Sequence, residues 1–432
     1  MSEMHVDSEL RFGYLVPEFP GQTHGFFWRE LGVLKQLHIS PDVVSTRSPT
    51  ARSATQEWAD EAHGITTYLA PFSLADFVAT AGELLRMSPR AVAGILRVAR
   101  TAFQEEAQFE RPRGQLRAFM GQVGWVVIGV RLAALARDRD WRHVHVHSCG
   151  NSAYVAMYAN LVAGLPYSLT LHGPLTDYGR NQQLKWAHAA FAIVITEGLR
   201  REVEVSLGPC LPGAVEVTPM GVDVREFSRD EPYEPWSGEG PFRIFSCGRL
   251  NPSKGHDVLL GAMHRMVRSG ADVQLTIAGE DEAGGAGYRQ ELERLKNSLG
   301  LNDRVRLLGA VPAAAVRLEL KRAHVFTLAS HAEPLGVAIM EAMSMGVPVV
   351  VTGAGGVAEL VEDRVSGLLV EPGSPKRLAD SILEVKESPS LGLKLGNAGR
   401  NRVETSFRHQ GSAEVLAGLI RATASAQTAT SD

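Results

Sequence analysis

The residues best able to do chemistry in this chain fall in three short segments. The densest carries Glu333, Pro334, Leu335, Gly336, Val337 and Glu341, directly after a predicted strand. Pro334 and Gly336 keep the start of that segment non-helical. Gly336 lets the backbone approach a ligand closely, and a helix opening there offers free N–H groups and a positive dipole end to a phosphate. Glu341 lies about one turn into the helix among Val337, Ile339, Met340 and Met343, where a carboxylate is costly unless something satisfies it. Paired sugar hydroxyls would do so, and so would an arginine in an ordinary buried ion pair. The second segment, Gly248, Arg249, Lys254 and Gly255, follows another predicted strand. Two cations on a short loop with glycine and Pro252 read as a diphosphate grip, Arg249 offering a fork and Lys254 a point charge; either alone reads as a solvated surface charge. In the third, a strand ends at His172, a position suited to a general base or a donor to sugar, although a lone histidine equally serves structure.

Three patterns imitate other chemistry. Gly353, Gly355, Gly356 and Ala358 fit a dinucleotide fingerprint, with Glu371 downstream. The helix expected over 357–363 is only about two turns, too short for the usual crossover, so this reading is set aside. Asp138 and Asp140 form a D-x-D pair that reads as a charged turn at a helix end. His143, His145 and His147 alternate on one strand and share a face. No carboxylate or further histidine of suitable context accompanies them, so no metal site is expected, and His147 at the carboxyl end is left to touch an acceptor.

Elements must deliver these residues. Short apolar runs at 11–16, 143–147, 167–171, 191–195 and 215–219 alternate with helical patterns, which means parallel α/β with both sheet faces covered. Residues 229–241, rich in proline, glycine and acids, read as a linker. The cycle restarts with runs at 243–247, 273–278, 305–308, 325–328, 347–352 and 367–370. The expected fold is therefore α/β, two Rossmann-like doubly wound domains facing across a cleft, over 1–228 and 242–395. A C-terminal helical stretch and frayed tail follow over 396–432. Ligands bind such sheets at the carboxyl ends of the strands.

About residues 73–136 form a helical insertion in the first domain. Val92, Leu96, Ala99 and Phe103 share a helical face, and residues 86–117 hold seven arginines against three glutamates. Such a segment either lies on anionic lipid or packs its apolar stripe on the domain.

With 432 residues, 44% hydrophobic and 21% charged, the chain is expected to be globular and multi-domain rather than largely disordered. A net charge of −4 gives no basic field for nucleic acid. Cys149, Cys210 and Cys247 are far apart and suit a reducing compartment. The first ten residues lack the apolar core of a signal peptide. No apolar run reaches the roughly 20 residues of a membrane span; 123–136 comes nearest and Arg131 interrupts it. A cytoplasmic protein, peripheral on the inner membrane face, is expected.

Together, Gly248, Arg249, Lys254, Gly255, Gly279, Glu280, Gly309, Glu333, Glu341, Ala342, Gly353, Gly355, Gly356 and Glu359, in this order and spacing, resemble the family 4 retaining glycosyltransferases of GT-B fold. The similarity is specific over about 243–371. It is looser in the first half, through Phe19, Pro20, Gly21, Gln22, Thr23, His145, His147, His172, Thr196, Glu197 and Met220 to Asp223. The opening is similar to exopolysaccharide and capsule-type members. The resemblance implies that Arg249 and Lys254 hold the donor diphosphate and stabilise the leaving group. It implies that Glu341 takes the ribose hydroxyls and that Glu333 faces the transferred sugar. Backbone N–H groups of Leu335, Gly336 and Val337 would meet sugar or phosphate, and Gly279 and Leu308 would frame the base. Gly21 would admit the phosphate, His172 would line the sugar and acceptor site, and Thr23 and His147 would stand on the acceptor side. Retention without a metal or cofactor is implied, with domain closure excluding water. Pro334 and Leu335 depart from the glycine and phenylalanine frequent there, which bears on loop shape and sugar preference.

The expected activity is transfer of a hexose from a nucleotide diphosphate sugar to a saccharide acceptor, free or lipid-linked, in exopolysaccharide or glycoconjugate synthesis. Partners are the donor, the acceptor and an anionic membrane surface through residues 86–117, with no nucleic acid. The rivals are a non-catalytic nucleotide-sugar binder and a phosphorylase, hydrolase or epimerase on the same fold.

Overall fold

A computed structural model describes residues 10–21, 24–49, 57–281 and 287–431. The chain divides into two compact units, each built on a parallel sheet. The first sheet contains β1 (Phe12–Glu18), β2 (Asp42–Arg47), β3 (Thr67–Tyr68), β4 (His143–Val146), β5 (Tyr167–Leu171), β6 (Ala192–Val194) and β7 (Val215–Val217). Their spatial order is β3-β2-β1-β4-β5-β6-β7, and every pairing is parallel. The second contains β8 (Phe242–Cys247), β9 (Val273–Ala278), β10 (Val305–Leu307), β11 (Val325–Leu328), β12 (Val349–Thr352) and β13 (Leu368–Val370). Its order is β10-β9-β8-β11-β12-β13, again all parallel. The two doubly wound sheets expected from the alternating pattern are therefore present. Strand direction across each sheet is conventional, and its order reverses once, between β1 and β4 and between β8 and β11. Loops leaving the carboxyl ends at such a reversal are where open α/β sheets bind ligands.

Central strands such as β5 and β12 are buried on both faces, and in β12 three consecutive valines form an apolar run. All four residues of His143–Val146 are buried, and the histidines are accommodated by hydroxyls on the neighbouring strand. His143 Nε2 and His145 Nδ1 both lie 2.7 Å from Ser168 Oγ, and His145 Nε2 lies 2.8 Å from Thr170 Oγ1. These imidazoles are spent on the sheet interior.

The compact units meet the chain at other positions than the expected linker. The first runs to Thr218 and resumes at Ser412, and the second spans Pro219–Gly411. The return is made by the helix His409–Ser431, within the stretch expected to hold a C-terminal helix and frayed tail. Its Ala413, Leu416, Ala417 and Ile420, spaced one and two helical turns apart, join Phe27, Leu31 and Leu34 of the helix Gly25–Gln36 in the first core. The second core is built on Leu259, Leu260, Met263 and Met266 of His256–Arg268, packed on β8 and β9 residues such as Ile244 and Leu275.

The helical insertion consists of Leu74–Arg86, Pro89–Ala107 and Pro112–Asp138. Ser73 and Asp76 close a capping box on the first helix, and Ser88 caps the second with proline at its first turn. Two expectations change here. Val92 and Leu96 do not pack on the domain: they are 42% and 65% exposed, and Ile95 and Ala102 are buried instead. The third helix, at 27 residues, is long and apolar enough to cross a membrane, because it begins at Pro112 rather than near 123. Its interior side is fixed by Arg131, whose Nη2 is 2.8 Å from Asp76 Oδ2.

Candidate active site

In the second unit, the loops after β8 and β11 leave the reversal point side by side. His331 N–H donates to Ser253 O at 2.8 Å, joining the two loops. Lys254 Nζ then lies 2.5 Å from Glu333 Oε2, and Ser330 Oγ donates to the same oxygen at 3.1 Å. The two charged side chains are only 13% and 9% exposed. Thr352 Oγ1, at the end of β12, donates to Ser330 O at 2.6 Å, and Gly356 N–H donates to Glu333 O at 3.0 Å. The glycine segment that imitates a dinucleotide fingerprint is thus a buttress for the Glu333 loop. The helix after it, Val357–Leu360, is a single turn.

Gly336 adopts φ 99° and caps the helix Val337–Ser344, a conformation that L side chains rarely take. Its carbonyl accepts Ile339 and Met340 N–H at 3.0 and 3.1 Å, and Leu335 beside it is buried. Glu341 is half-buried on this helix. Burial pushes the Cys247 thiol up to about 12; the Glu341 carboxylate pushes the same way and Lys254 opposes it. Glu341 and Lys254 therefore both act on the end of β8. Arg249, also half-buried, accepts His256 Nε2–H at its carbonyl, 3.3 Å away.

Gly279 follows β9 with φ 151°, and a Cβ there would stand 1.9 Å from Gly248 O. Only glycine permits this contact between the two strand ends. Gly279 N–H donates to Gly309 O at 2.9 Å, and Leu308 N–H donates to Ile277 O at 2.9 Å. Leu308 and Gly279 thus stand on neighbouring strand ends, beside Glu280, which is held 2.7 Å from Arg289.

The first unit has its own polar cluster at the β1–β4 reversal. Tyr14 OH donates to Glu30 Oε2 at 2.6 Å, His147 Nε2 lies 3.1 Å from the same oxygen, and His147 Nδ1 is 3.3 Å from His172 Nε2. At this distance the Glu30 carboxylate attracts the His147 imidazole strongly. Burial pushes Glu30 up, but His147, Tyr14 and Ser412 together hold its carboxyl below the usual range. A carboxylate there favours the proton on His147 Nε2. His147 Nδ1 then accepts His172 Nε2–H, which leaves His172 Nδ1 as an acceptor with no protein partner. Burial, with His147 adding to it, pushes the His172 imidazole down to about 3.

His147 is only 5% exposed and stacks against His172 with ring centroids 5.5 Å apart. Its hydrogen bond to His172 places it to support that neighbour. Gly21 follows β1 and is buried, with its carbonyl accepting His24 N–H at 3.1 Å. Thr23 lies outside the described residues. Tyr14 and Glu30 were not picked out from sequence. Glu30 did leave a signal, since it takes a core position beside Phe27, Leu31 and Leu34 on an amphipathic helix.

Residues 230–402 match the family model for glycosyl transferases, group 1. The D-inositol 3-phosphate glycosyltransferase of Segniliparus rotundus is 32% identical over 193 residues, 44% of this chain and 42% of that protein. The amylovoran biosynthesis glycosyltransferase AmsK of Erwinia amylovora is 30% identical over 223 residues, 49% of this chain and 51% of that protein. These alignments span about half or less of the relatives' length. HepE of Anabaena, solved in complex with UDP-glucose, aligns over 98% of this chain and 100% of its own at a TM-score of 0.69 and 17% identity. That likeness concerns the fold, and two tandem doubly wound units are the GT-B plan.

Proposed function

From the match of residues 230–402 to the group 1 glycosyl transferase model, we propose that this chain is a family 4-like glycosyltransferase and that it transfers a hexose, with retention, from a nucleotide diphosphate sugar to a hydroxyl of a saccharide acceptor, free or lipid-linked. The reaction belongs to exopolysaccharide or glycoconjugate synthesis in the cytoplasm and needs neither metal nor cofactor. The observation that carries the reading is the shielded Lys254–Glu333 pair at the reversal point of the second sheet. An ammonium and a carboxylate held 2.5 Å apart, with Ser330 on the same oxygen, form a site that can exchange one anion for another.

In this reading Lys254 and Arg249 take the donor diphosphate, and Lys254 stabilises charge on the leaving phosphate as the glycosidic bond breaks. Glu333, released from Lys254, accepts from hydroxyls of the transferred sugar. Glu341 accepts from the ribose, Gly279 and Leu308 frame the base, and the N–H groups of Leu335, Gly336 and Val337 meet sugar or phosphate. Gly21 admits the phosphate. His172 lines the sugar and acceptor site, and Glu30 and His147 fix its tautomer.

The test is a thermal-shift panel of UDP-, GDP-, ADP- and dTDP-sugars, followed by product analysis with and without saccharide acceptors in the presence of EDTA. One nucleotide class should stabilise the protein, by about 2.7 kcal/mol at 100 times Kd, and the shift should vanish in Glu341→Ala. Acceptor-dependent product with retained configuration supports the proposal. Binding without turnover would favour the silent-binder rival, and acceptor-independent products the hydrolase, phosphorylase or epimerase.

A further inference from the structure

The helical insertion leaves an apolar surface outside the fold. Of the eighteen large apolar side chains that stand exposed among the described residues, thirteen lie within 74–127. On Leu74–Arg86 the outward stripe is Leu74, Phe77, Val78 and Leu85, the last 89% exposed. On Pro112–Asp138 it is Leu116, Phe119, Met120, Val123 and Val127. Both sets follow the three- and four-residue spacing of one helical face, so each is a continuous ridge.

The buried sides carry a polar network as well as apolar contacts. Glu83, 2% exposed, receives both Arg137 Nε and Nη2 at 2.9 and 2.8 Å. Asp76 holds Arg131 at 2.8 Å. Buried Gln122 donates to Glu106 at 3.1 Å and accepts from Tyr158 OH at 2.9 Å, while Tyr154 OH donates to Glu106 at 2.9 Å. Ile95, Ala102, Val130, Leu132 and Ala133 pack inside beside these ion pairs and hydrogen bonds, and a second set of apolar residues is left outside.

Charge follows the same division. Asp76, Glu83 and Glu106 are engaged inside, and Glu105 accepts Asn181 N–H at 2.9 Å. Arg90, Arg97, Arg100, Arg111, Arg113 and Arg117 are exposed. Arg113 and Arg117 share the ridge of Leu116 and Met120, and Arg100 continues the line of Val92 and Leu96. An apolar ridge studded with arginines fits acyl chains beneath anionic headgroups. A second copy of the chain fits it poorly, because a two-fold contact would bring like charges together.

We propose that the outward face of residues 74–127 docks on a bilayer containing anionic phospholipid. The face is wider than the 86–117 segment expected from sequence, since most of its apolar surface comes from the first and third helices. The proposal stands independently of the transferase reading.

The full-length protein is sedimented with vesicles of phosphatidylcholine alone or with 30% phosphatidylglycerol, about physiological salt and at higher salt. Wild type should partition to the anionic vesicles and be displaced by salt. Arg90→Glu/Arg97→Glu/Arg100→Glu should lower partitioning about tenfold or more, and Phe119→Ser/Met120→Ser should lower it at low salt as well. All these positions are exposed, and unchanged circular dichroism and unchanged binding of nucleoside diphosphates would show that the variants are folded. Partitioning that is absent, or indifferent to both variants, overturns the proposal. So does sedimentation velocity showing a dimer that Phe119→Ser/Met120→Ser dissolves.

Discussion

The Lys254–Glu333 pair gives a prediction whose two halves have opposite signs. At 2.5 Å, the gross attraction is roughly 6–7 kcal/mol at an effective dielectric of about 20, most of which desolvation takes back. In the free protein Glu333 compensates the Lys254 charge, so an incoming diphosphate competes with a carboxylate for one ammonium. Glu333→Gln keeps the size and one acceptor for Ser330 but removes the competing charge. One charge-assisted hydrogen bond, about 1.5–3 kcal/mol, is then fully available to the ligand, so a nucleoside diphosphate should bind roughly ten- to a hundredfold more tightly. Lys254→Met should weaken binding by a similar factor, because the same interaction is lost. The double variant should lie near Lys254→Met, since without the ammonium there is nothing for the glutamate to mask. Titration calorimetry with the nucleoside diphosphate found in the thermal-shift panel measures all four proteins, and turnover should be lost in Glu333→Gln despite its higher affinity. If Glu333→Gln weakened binding as much as Lys254→Met does, or if neither changed it while both lowered the melting temperature, the pair would be a structural clamp and the reasoning refuted.

Three further outcomes follow from the geometry. Glu30→Gln should cost about 1.5–3 kcal/mol at pH 7 by chemical unfolding, the loss of charge-assisted contacts to Tyr14 and His147. Because the Glu30 carboxyl is held below its usual 4.5, the wild-type advantage is complete above that value and disappears as pH falls through the lowered one; a gap that stayed constant down to pH 3 would contradict a buried carboxylate. His143 and His172 are both pushed down from 6.5 to about 3. The unfolded chain therefore takes up protons first, and each histidine should remove about 1.4 kcal/mol of stability by pH 5.5; a melting temperature that is flat from pH 7 to 5 would refute this. Gly279→Ala would place a Cβ 1.9 Å from Gly248 O and should abolish nucleotide binding by displacing the loop that carries Arg249. Gly300→Ala, at φ 67° with nothing within 4 Å, should cost only about 1 kcal/mol and leave binding intact, as calorimetry would check.

What could be read from the sequence, and what could not, divides along a physical line. Strands such as β12 are buried on both faces and write an apolar run between turns, and the other visible strands carry enough β-branched or aromatic residues between turn residues to be read, eleven of thirteen in all. β2 ends in polar residues and β3 has only two residues, so neither carries such a run. Lys254 and Glu333 were singled out separately as residue types in loops, but their pairing depends on β8 and β11 being neighbours, a fact of strand order that no local pattern contains. The same holds for His147, whose partners Glu30 and His172 come from a helix and another strand. The insertion shows the limit most clearly. Periodicity marks which residues share a helical face, yet it does not say which face is inside. The usual inference, apolar inward, rests on polar groups preferring water. That preference is offset where a polar side chain finds partners within the fold, as Glu83 finds in Arg137 and Gln122 in Glu106 and Tyr158. Once those partners are satisfied, desolvating them costs little, and the apolar ridge is free to face a solvent that is not water.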